Sequence, residues 1–124
     1  MIKYSRQREA ILKDLQSRRD HPTADMVYES VRKEYPNISL GTVYRNLAFL
    51  TESGQVLKIT TPAGADHFDG FISPHNHFIC KSCGRVEDMD YISCDSIVAE
   101  ASADFDGEIE DCELQFYGKC HDCL

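Results

Sequence analysis

Three stretches in the first fifty residues repeat apolar positions at helical spacing. Ala10, Ile11, Leu12 and Leu15 follow Ser5, Met26, Val27 and Val31 follow Thr23, and Val43, Leu47 and Leu50 follow Ser39 at i, i+4 and i+7. That period predicts three helices, each with one face toward a shared core. Ser5, Thr23 and Ser39 are of the type that caps a helix start, because a short side-chain oxygen accepts one of the unpaired first-turn N–H groups. Pro36-Asn37 breaks the second helix and Gly54 supplies the stop of the third. Gln55-Val56-Leu57-Lys58-Ile59-Thr60 then alternates with period two, which predicts a strand. Pro62-Ala63-Gly64 turns the chain into a second strand near residues 66–69. Three short helices followed by a hairpin is the order of a winged helix-turn-helix.

A linker is expected near residues 69–74. Beyond it the pattern predicts strands near 77–80 and 85–91, joined by the tight knuckle Cys80-Lys81-Ser82-Cys83-Gly84. A helix near 94–104, ended by Gly107, and a last strand over roughly 108–117 complete the chain. The predicted class is α+β, with a winged-helix DNA-binding domain in residues 1–70 and a small α/β dimerisation domain in 71–124. Domains of that size bury too little surface to be comfortably stable alone, so a metal staple or a partner subunit is expected. The sequence contains no repeats and no low-complexity segment.

Charge sharpens the division. The 124 residues carry a net charge of −8, but residues 1–60 hold ten Lys/Arg against seven Asp/Glu, and residues 61–124 hold three against fourteen. The first part, at +3, can approach phosphate; the rest, at −11, repels it and attracts cations. No apolar run approaches the ~20 residues of a membrane span, and the first residues lack the apolar core of a signal peptide. The protein is therefore expected in the cytoplasm with no membrane partner. In that compartment paired C-x-x-C spacings point to metal or redox chemistry rather than to disulfides.

Cys80-x-x-Cys83 and Cys120-x-x-Cys123 are two such pairs, separated by 36 residues. Each holds two thiolates on one ion, and together they make a closed tetrahedral site suited to structural Zn(2+) that would pin the C-terminal strand onto an earlier hairpin. A redox pair is the alternative for one motif alone. Cys94 and Cys112 lack such spacing and are expected to be small buried hydrophobes. His75 and His77 point to one face of an extended strand, with Asp69 six residues before the first and Asp88 five after Cys83. Imidazole and carboxylate donors select a divalent ion such as Fe, Mn or Zn. His67 and His121 are read as non-ligands.

At this point the chain resembles the ferric uptake regulator family over nearly its whole length. Ser39-Leu40-Gly41-Thr42-Val43-Tyr44-Arg45-Asn46-Leu47 is similar to the family's recognition helix. His75-x-His77-x-x-Cys80-x-x-Cys83-Gly84 is similar to its metal-binding core, and Tyr117-Gly118-x-Cys120-x-x-Cys123 to its ending. His21-Pro22-Thr23-Ala24-Asp25 resembles the segment that gives a further histidine ligand from the DNA-binding domain. The closest resemblance is to the peroxide-sensing branch. It implies a regulatory Fe(2+) or Mn(2+) held by His21, Asp69, His75, His77 and Asp88, with His21 and His75 sensitive to oxidation. Iron-sensing members generally carry Glu at the position of Asp69. Pro74, Asn76 and Cys112 stand where an additional site of some relatives has ligands, leaving Asp95. The chain begins close to the second helix of the family's usual DNA-binding domain, so the helix before it has no counterpart in this sequence.

The resemblance implies a dimeric repressor on a palindromic double-stranded operator, with no small-molecule substrate other than peroxide and no enzymatic turnover. With Val43, Leu47 and Leu50 inward, the candidate DNA contacts on the third helix are Ser39, Thr42, Tyr44, Arg45 and Asn46. Arg45 suits a guanine edge, Tyr44 a thymine methyl or phosphate, and Lys3 a minor groove. Two other classes compete. His75-Asn76-His77 beside four cysteines superficially suggests an HNH nuclease, but that motif's letters lie tens of residues apart, and a −11 face repels DNA. A zinc-dependent protein-interaction module would be monomeric, without operator binding. Within the family, iron-, manganese- or zinc-responsive repression is the alternative to peroxide sensing.

Overall fold

The computed structural model describes residues 5–124; Lys3, a candidate minor-groove contact, lies outside the described residues. The chain divides into two compact units, residues up to 73 and residues from 74.

The first unit contains α1 (Arg6–Gln16), α2 (Ala24–Val31), α3 (Leu40–Glu52), β1 (Leu57–Thr60) and β2 (Asp66–Asp69). Each helix starts where its cap lies. Ser5 Oγ accepts the Arg8 N–H, Thr23 Oγ1 the Met26 N–H, and Ser39 Oγ the Thr42 N–H. Gly54, at φ +77°, turns the chain out of α3 at a conformation that costs a side-chain-bearing residue more. The N–H groups of Gln55 and Val56 still point back to the Leu50 carbonyl, so β1 begins at Leu57, two residues later than the alternation predicts. β1 and β2 pair antiparallel from Leu57↔Asp69 to Thr60↔Asp66. Ile11, Leu15, Val27, Val31, Ile38, Val43, Leu47, Leu50, Val56 and Phe68 form one buried cluster between the helices and the hairpin.

The second unit contains β3 (Asn76–Cys80), β4 (Val86–Met89), α4 (Asp95–Ser102), β5 (Gln115–Gly118) and a 3-10 turn, His121–Cys123. Its sheet has the order β4-β3-β5, antiparallel between β3 and β4 and parallel between β3 and β5. The last strand is shorter than expected, because only residues 115–118 find a partner in β3. The preceding stretch alternates apolar residues with Glu108, Glu110, Asp111 and Glu113 and has no ladder partner. Among the described residues, no helix is long and apolar enough to cross a membrane.

The division falls at 73/74, where the sequence placed it at 70/71. Residues 70–71 are tied to the first unit: the Phe71 N–H donates to Asp69 Oδ1 at 2.8 Å, and the Arg19 guanidinium sits 4.6 Å from the centre of the Phe71 ring. Gly70 is pressed against α1, where a Cβ would lie 2.7 Å from the Leu15 carbonyl carbon. Backbone cannot yield cheaply there, so Gly70→Ala is expected to destabilise the first unit by about 1–3 kcal/mol, the usual cost of overpacking. Urea unfolding of the metal-free protein checks this; an unchanged midpoint would mean that the β2–α1 contact is soft.

Candidate metal centres and the exposed helix

Four cysteines meet at one end of the second unit's sheet. Cys80 ends β3 and Cys83 lies in the turn that follows, where Gly84 at φ +80° lets the chain reverse. The Gly84 N–H reaches the Cys80 carbonyl, and the Cys80 N–H the Arg85 carbonyl, each at 2.9 Å. The parallel β3–β5 pairing brings the second knuckle alongside, with Gly118 opposite Cys80 and the Lys81 N–H donating to the Gly118 carbonyl at 2.7 Å. Arg85 ties the two knuckles by a 2.8 Å ion pair to Asp122. As a result the Sγ atoms of Cys80, Cys83, Cys120 and Cys123 all lie within 4.8 Å of one another. This arrangement is consistent with the closed four-thiolate zinc site read from the spacing.

The thiols are unequal. Cys80 Sγ accepts the N–H groups of Cys120 and Cys83 at 3.3 and 3.4 Å, and these hold its thiol down to about 6. Cys123, hydrogen-bonded to the sulfurs of Cys120 and Cys80 and partly desolvated, is pushed up to about 12. Gathered thiolates repel one another, and a divalent cation removes that conflict.

Each unit pairs histidine with aspartate. In the second unit His75 leads into β3 and His77 lies within it, paired in register with Asp88 of β4. The two Nε2 atoms stand 3.0 Å apart, and Asp88 Oδ1 lies 3.1 Å from His75 Nε2 and 3.4 Å from His77 Nε2. Two imidazole nitrogens and a carboxylate oxygen thus converge on one point, with His77 buried. That donor set fits a divalent ion of borderline hardness.

In the first unit His21 Nε2 faces Asp69 Oδ2 at 3.4 Å, and both side chains are buried. Asp69 Oδ1 is occupied by the Phe71 N–H, which fixes the carboxylate and leaves Oδ2 directed at the ring. His21 adopts φ +50°, unusual for a residue with a side chain. It is held there by the Phe68 N–H on the Pro22 carbonyl at 2.9 Å and by His67, whose Nδ1 lies 2.6 Å from the His21 carbonyl. His21 Nδ1 is buried and receives no hydrogen bond. His121 stands exposed in the 3-10 turn.

On α3, Tyr44 is 52% exposed and Arg45 is exposed, while Thr42 is half-buried and Ser39 exposed. Ser39 Oγ caps the helix and also meets Thr42 Oγ1 at 2.9 Å, and Arg45 Nη2 donates to Thr42 Oγ1 at 3.1 Å. These polar groups share one surface turn. Asn46 does not join them. It is buried, its Oδ1 accepts Arg8 Nε at 3.0 Å, and its Nδ2 donates to the Thr42 carbonyl at 3.0 Å. Asn46 therefore fastens α1 to α3 rather than offering its amide to a base. The clue lay in its spacing, because residue 46 is three beyond Val43 and four before Leu50, on the inward stripe. Arg8, unmarked in the sequence, completes that junction with its guanidinium 4.0 Å from the centre of the Phe49 ring.

Cys94 and Cys112 also depart from expectation. They are half-buried and joined to each other as a disulfide, not sequestered singly in a core. Sequence spacing could not pair them, since a separation of 18 positions follows no motif.

Comparison with known proteins places these features. The profile of the Ferric uptake regulator family matches residues 1–117. The peroxide operon regulator of Bacillus subtilis (strain 168) is 35% identical over 122 residues, covering 98% of this chain and 84% of the relative. The peroxide-responsive repressor PerR of Staphylococcus aureus (strain Mu50) is 36% identical over 124 residues, covering 98% of this chain and 82% of the relative. The crystal structure of the Campylobacter jejuni peroxide stress regulator superposes with a TM-score of 0.73 at 32% identity, covering 94% of this chain and 88% of the other.

The unequal thiols make the four-cysteine centre testable by pH. Zinc competes with protons for thiolates, so its affinity falls on acidification. Above a pH of about 6 the Cys80 thiol surrenders no proton on binding, and below it one more must be displaced. Competition with a chromogenic chelator should therefore give a plot of log affinity against pH that steepens by about one proton as pH falls through that value. Cys80→Ser should remove the steepening together with tight binding. A straight plot would mean that the Cys120 and Cys83 N–H groups do not pre-ionise Cys80.

Proposed function

The chain belongs to the ferric uptake regulator family, and we propose that it is a metal-dependent transcriptional repressor that senses hydrogen peroxide, working as a homodimer in the cytoplasm on a palindromic double-stranded operator. The observation that carries this reading is the sorting of donors. Four thiols gather in one cluster, while imidazoles and aspartates gather in groups of their own, His75–His77–Asp88 and His21–Asp69. In this reading the thiols hold structural Zn(2+), and His21, Asp69, His75, His77 and Asp88 share one regulatory Fe(2+) or Mn(2+). The similarity to relatives named as peroxide regulators supports the same assignment. The protein is a regulator and not an enzyme.

His21 and Asp69 belong to the unit that carries α3, and the other three ligands to the second unit. Sharing one ion makes the five residues a clasp between the parts of the chain that read DNA and that dimerise. Two recognition helices in a symmetric dimer must meet half-sites at a fixed spacing, so closing the clasp raises operator affinity, and operator binding in turn raises metal affinity. Tyr44 and Arg45, with Thr42 and Ser39 behind them, enter the major groove, while the +3 charge of residues 1–60 draws the unit to phosphate. The second unit leaves Tyr91, Ile92, Ile97, Phe105 and Tyr117 exposed, a surface that suits a second copy of the chain.

Fe(II), held by such a set, would supply one-electron reduction of peroxide. The chain's own part is to offer imidazole carbons within reach of the oxidant. Oxygenation of the His21 or His75 ring weakens its nitrogen as a donor, so the clasp opens and the repressor leaves DNA. His21 is the more consequential target, since it is the histidine that ties in the DNA-binding unit.

Iron-loaded protein treated briefly with peroxide is expected to gain one oxygen atom, mapped to His21 or His75, and to lose operator binding; manganese-loaded protein should keep both its mass and its affinity. Arg45→Ala should cost about 1–3 kcal/mol on the operator and relax sequence discrimination while leaving metal binding intact. An iron form that stays unmodified and bound would make this an iron-, manganese- or zinc-responsive repressor. Equal weakening on all sequences would reduce Arg45 to a phosphate contact.

A further inference from the structure

Asn76 is a buried polar residue of β3, and its side chain reaches two distant segments at once. Its Oδ1 accepts the Ile92 N–H at 2.7 Å, and its Nδ2 donates to the Leu114 carbonyl at 3.2 Å. These two anchors close the neck of a long excursion of the chain that contains α4 and the acidic stretch after it. Two residues inside each anchor stand Cys94 and Cys112, joined as a disulfide with their Cα atoms 6.0 Å apart. That separation lies within the ~4.4–6.8 Å that a disulfide spans without moving the backbone. Neither cysteine belongs to the four-thiol cluster.

Beyond this neck the excursion is weakly held. α4 buries none of its residues, and Cys94, at its N-cap, makes no side-chain capping bond. Ile97 is 45% exposed and Phe105 57% exposed. A helix of eight residues without a buried face is marginal in water. Within one copy of the chain the covalent link therefore carries much of what keeps α4 in place, whatever a second copy adds at Ile97 and Phe105.

We propose that Cys94 and Cys112 are a reversible thiol–disulfide site, oxidised by hydroperoxides, that latches the α4 excursion to the sheet. One sulfur, as thiolate, attacks the terminal peroxide oxygen, breaking the O–O bond and becoming a sulfenic acid; the leaving hydroxide (from an organic hydroperoxide, alkoxide) is protonated to water or alcohol. The second sulfur displaces the sulfenic hydroxyl as another water, and the Sγ–Sγ bond forms; two thiols have lost two electrons and two protons in all. Asn76 is the reason that the partner is at hand. Its two hydrogen bonds hold the chain on both sides of the pair without involving either sulfur, so in the proposed reaction the second thiol meets a sulfenic acid at high effective concentration. A two-electron thiol reaction needs no iron and leaves the histidines untouched. The inference rests on neither of the metal assignments above.

The test uses the full-length, zinc-loaded, iron-free protein, first reduced and then exposed to hydrogen peroxide. Peptide mapping after thiol alkylation should recover one cross-linked pair, Cys94 to Cys112, with zinc still bound and with the bond reversed by dithiothreitol. Hydrogen exchange of the amides in residues 95–111 should be roughly tenfold or more faster in the reduced protein than in the oxidised one. Cys94→Ser and Cys112→Ser should show the faster exchange under both conditions while retaining zinc. The proposal is overturned if both cysteines remain alkylatable after oxidation, if cross-links form among Cys80, Cys83, Cys120 and Cys123 with release of zinc, or if exchange in 95–111 is the same in the two redox states.

Discussion

The second unit has almost no hydrophobic core. Its buried apolar side chains are Ile79, Cys80, Val86 and Cys120, and two of those four are members of the thiol cluster. A unit this thin cannot offset the entropy of ordering its chain by apolar burial alone. What holds β5 beside β3 is the short parallel ladder, the Lys81–Gly118 backbone bond and the Arg85–Asp122 pair, all of which converge on the sulfurs. Cross-linking those sulfurs through one ion would tie the C-terminal strand to the hairpin from which His75, His77 and Asp88 project. In the proposed reading the regulatory donors of this hairpin are aligned on a sheet that the thiol centre fixes, so that centre comes first in the physical order.

The two donor sets then divide the labour by chemistry. Thiolates are soft, strongly donating and closed to further ligands when four share one ion. Imidazoles with aspartates hold an ion less tightly and leave it open to small molecules. His21 and Asp69 lie in the unit that carries α3, so in the proposed reading the regulatory donors come from both parts of the chain. The strain of His21, at φ +50° and secured by His67 and the Pro22 carbonyl, is a further sign that this ring is held for a purpose other than packing.

Much of this was legible in the sequence because the relevant signals are local. The capping residues Ser5, Thr23 and Ser39 act within one turn, the His75-x-His77 spacing needs only an extended strand, and each C-x-x-C needs only a tight knuckle. What escaped depends on contacts between distant segments. The inward turn of Asn46 is set by Arg8, 38 residues away. The shortness of β5 follows from where β3 begins, which no pattern within residues 108–117 reveals. The Cys94–Cys112 pair lies just inside the neck where Asn76 brings Ile92 and Leu114 to one side chain. For Asn46 and Asn76 a single buried amide joins distant segments, and its partners cannot be inferred from neighbours in sequence.

The central claim is that two ions of different donor chemistry occupy one chain, one bound by sulfur and the other by nitrogen and oxygen from both units. X-ray absorption at two metal edges of one sample, protein carrying zinc and then loaded with manganese, tests it most directly. The account predicts four sulfur scatterers at about 2.3 Å around zinc and none around manganese, with histidine ring scattering at the manganese edge alone. That ring scattering should weaken by one imidazole in His21→Ala. Sulfur at the manganese edge, or a manganese shell indifferent to His21, would contradict it.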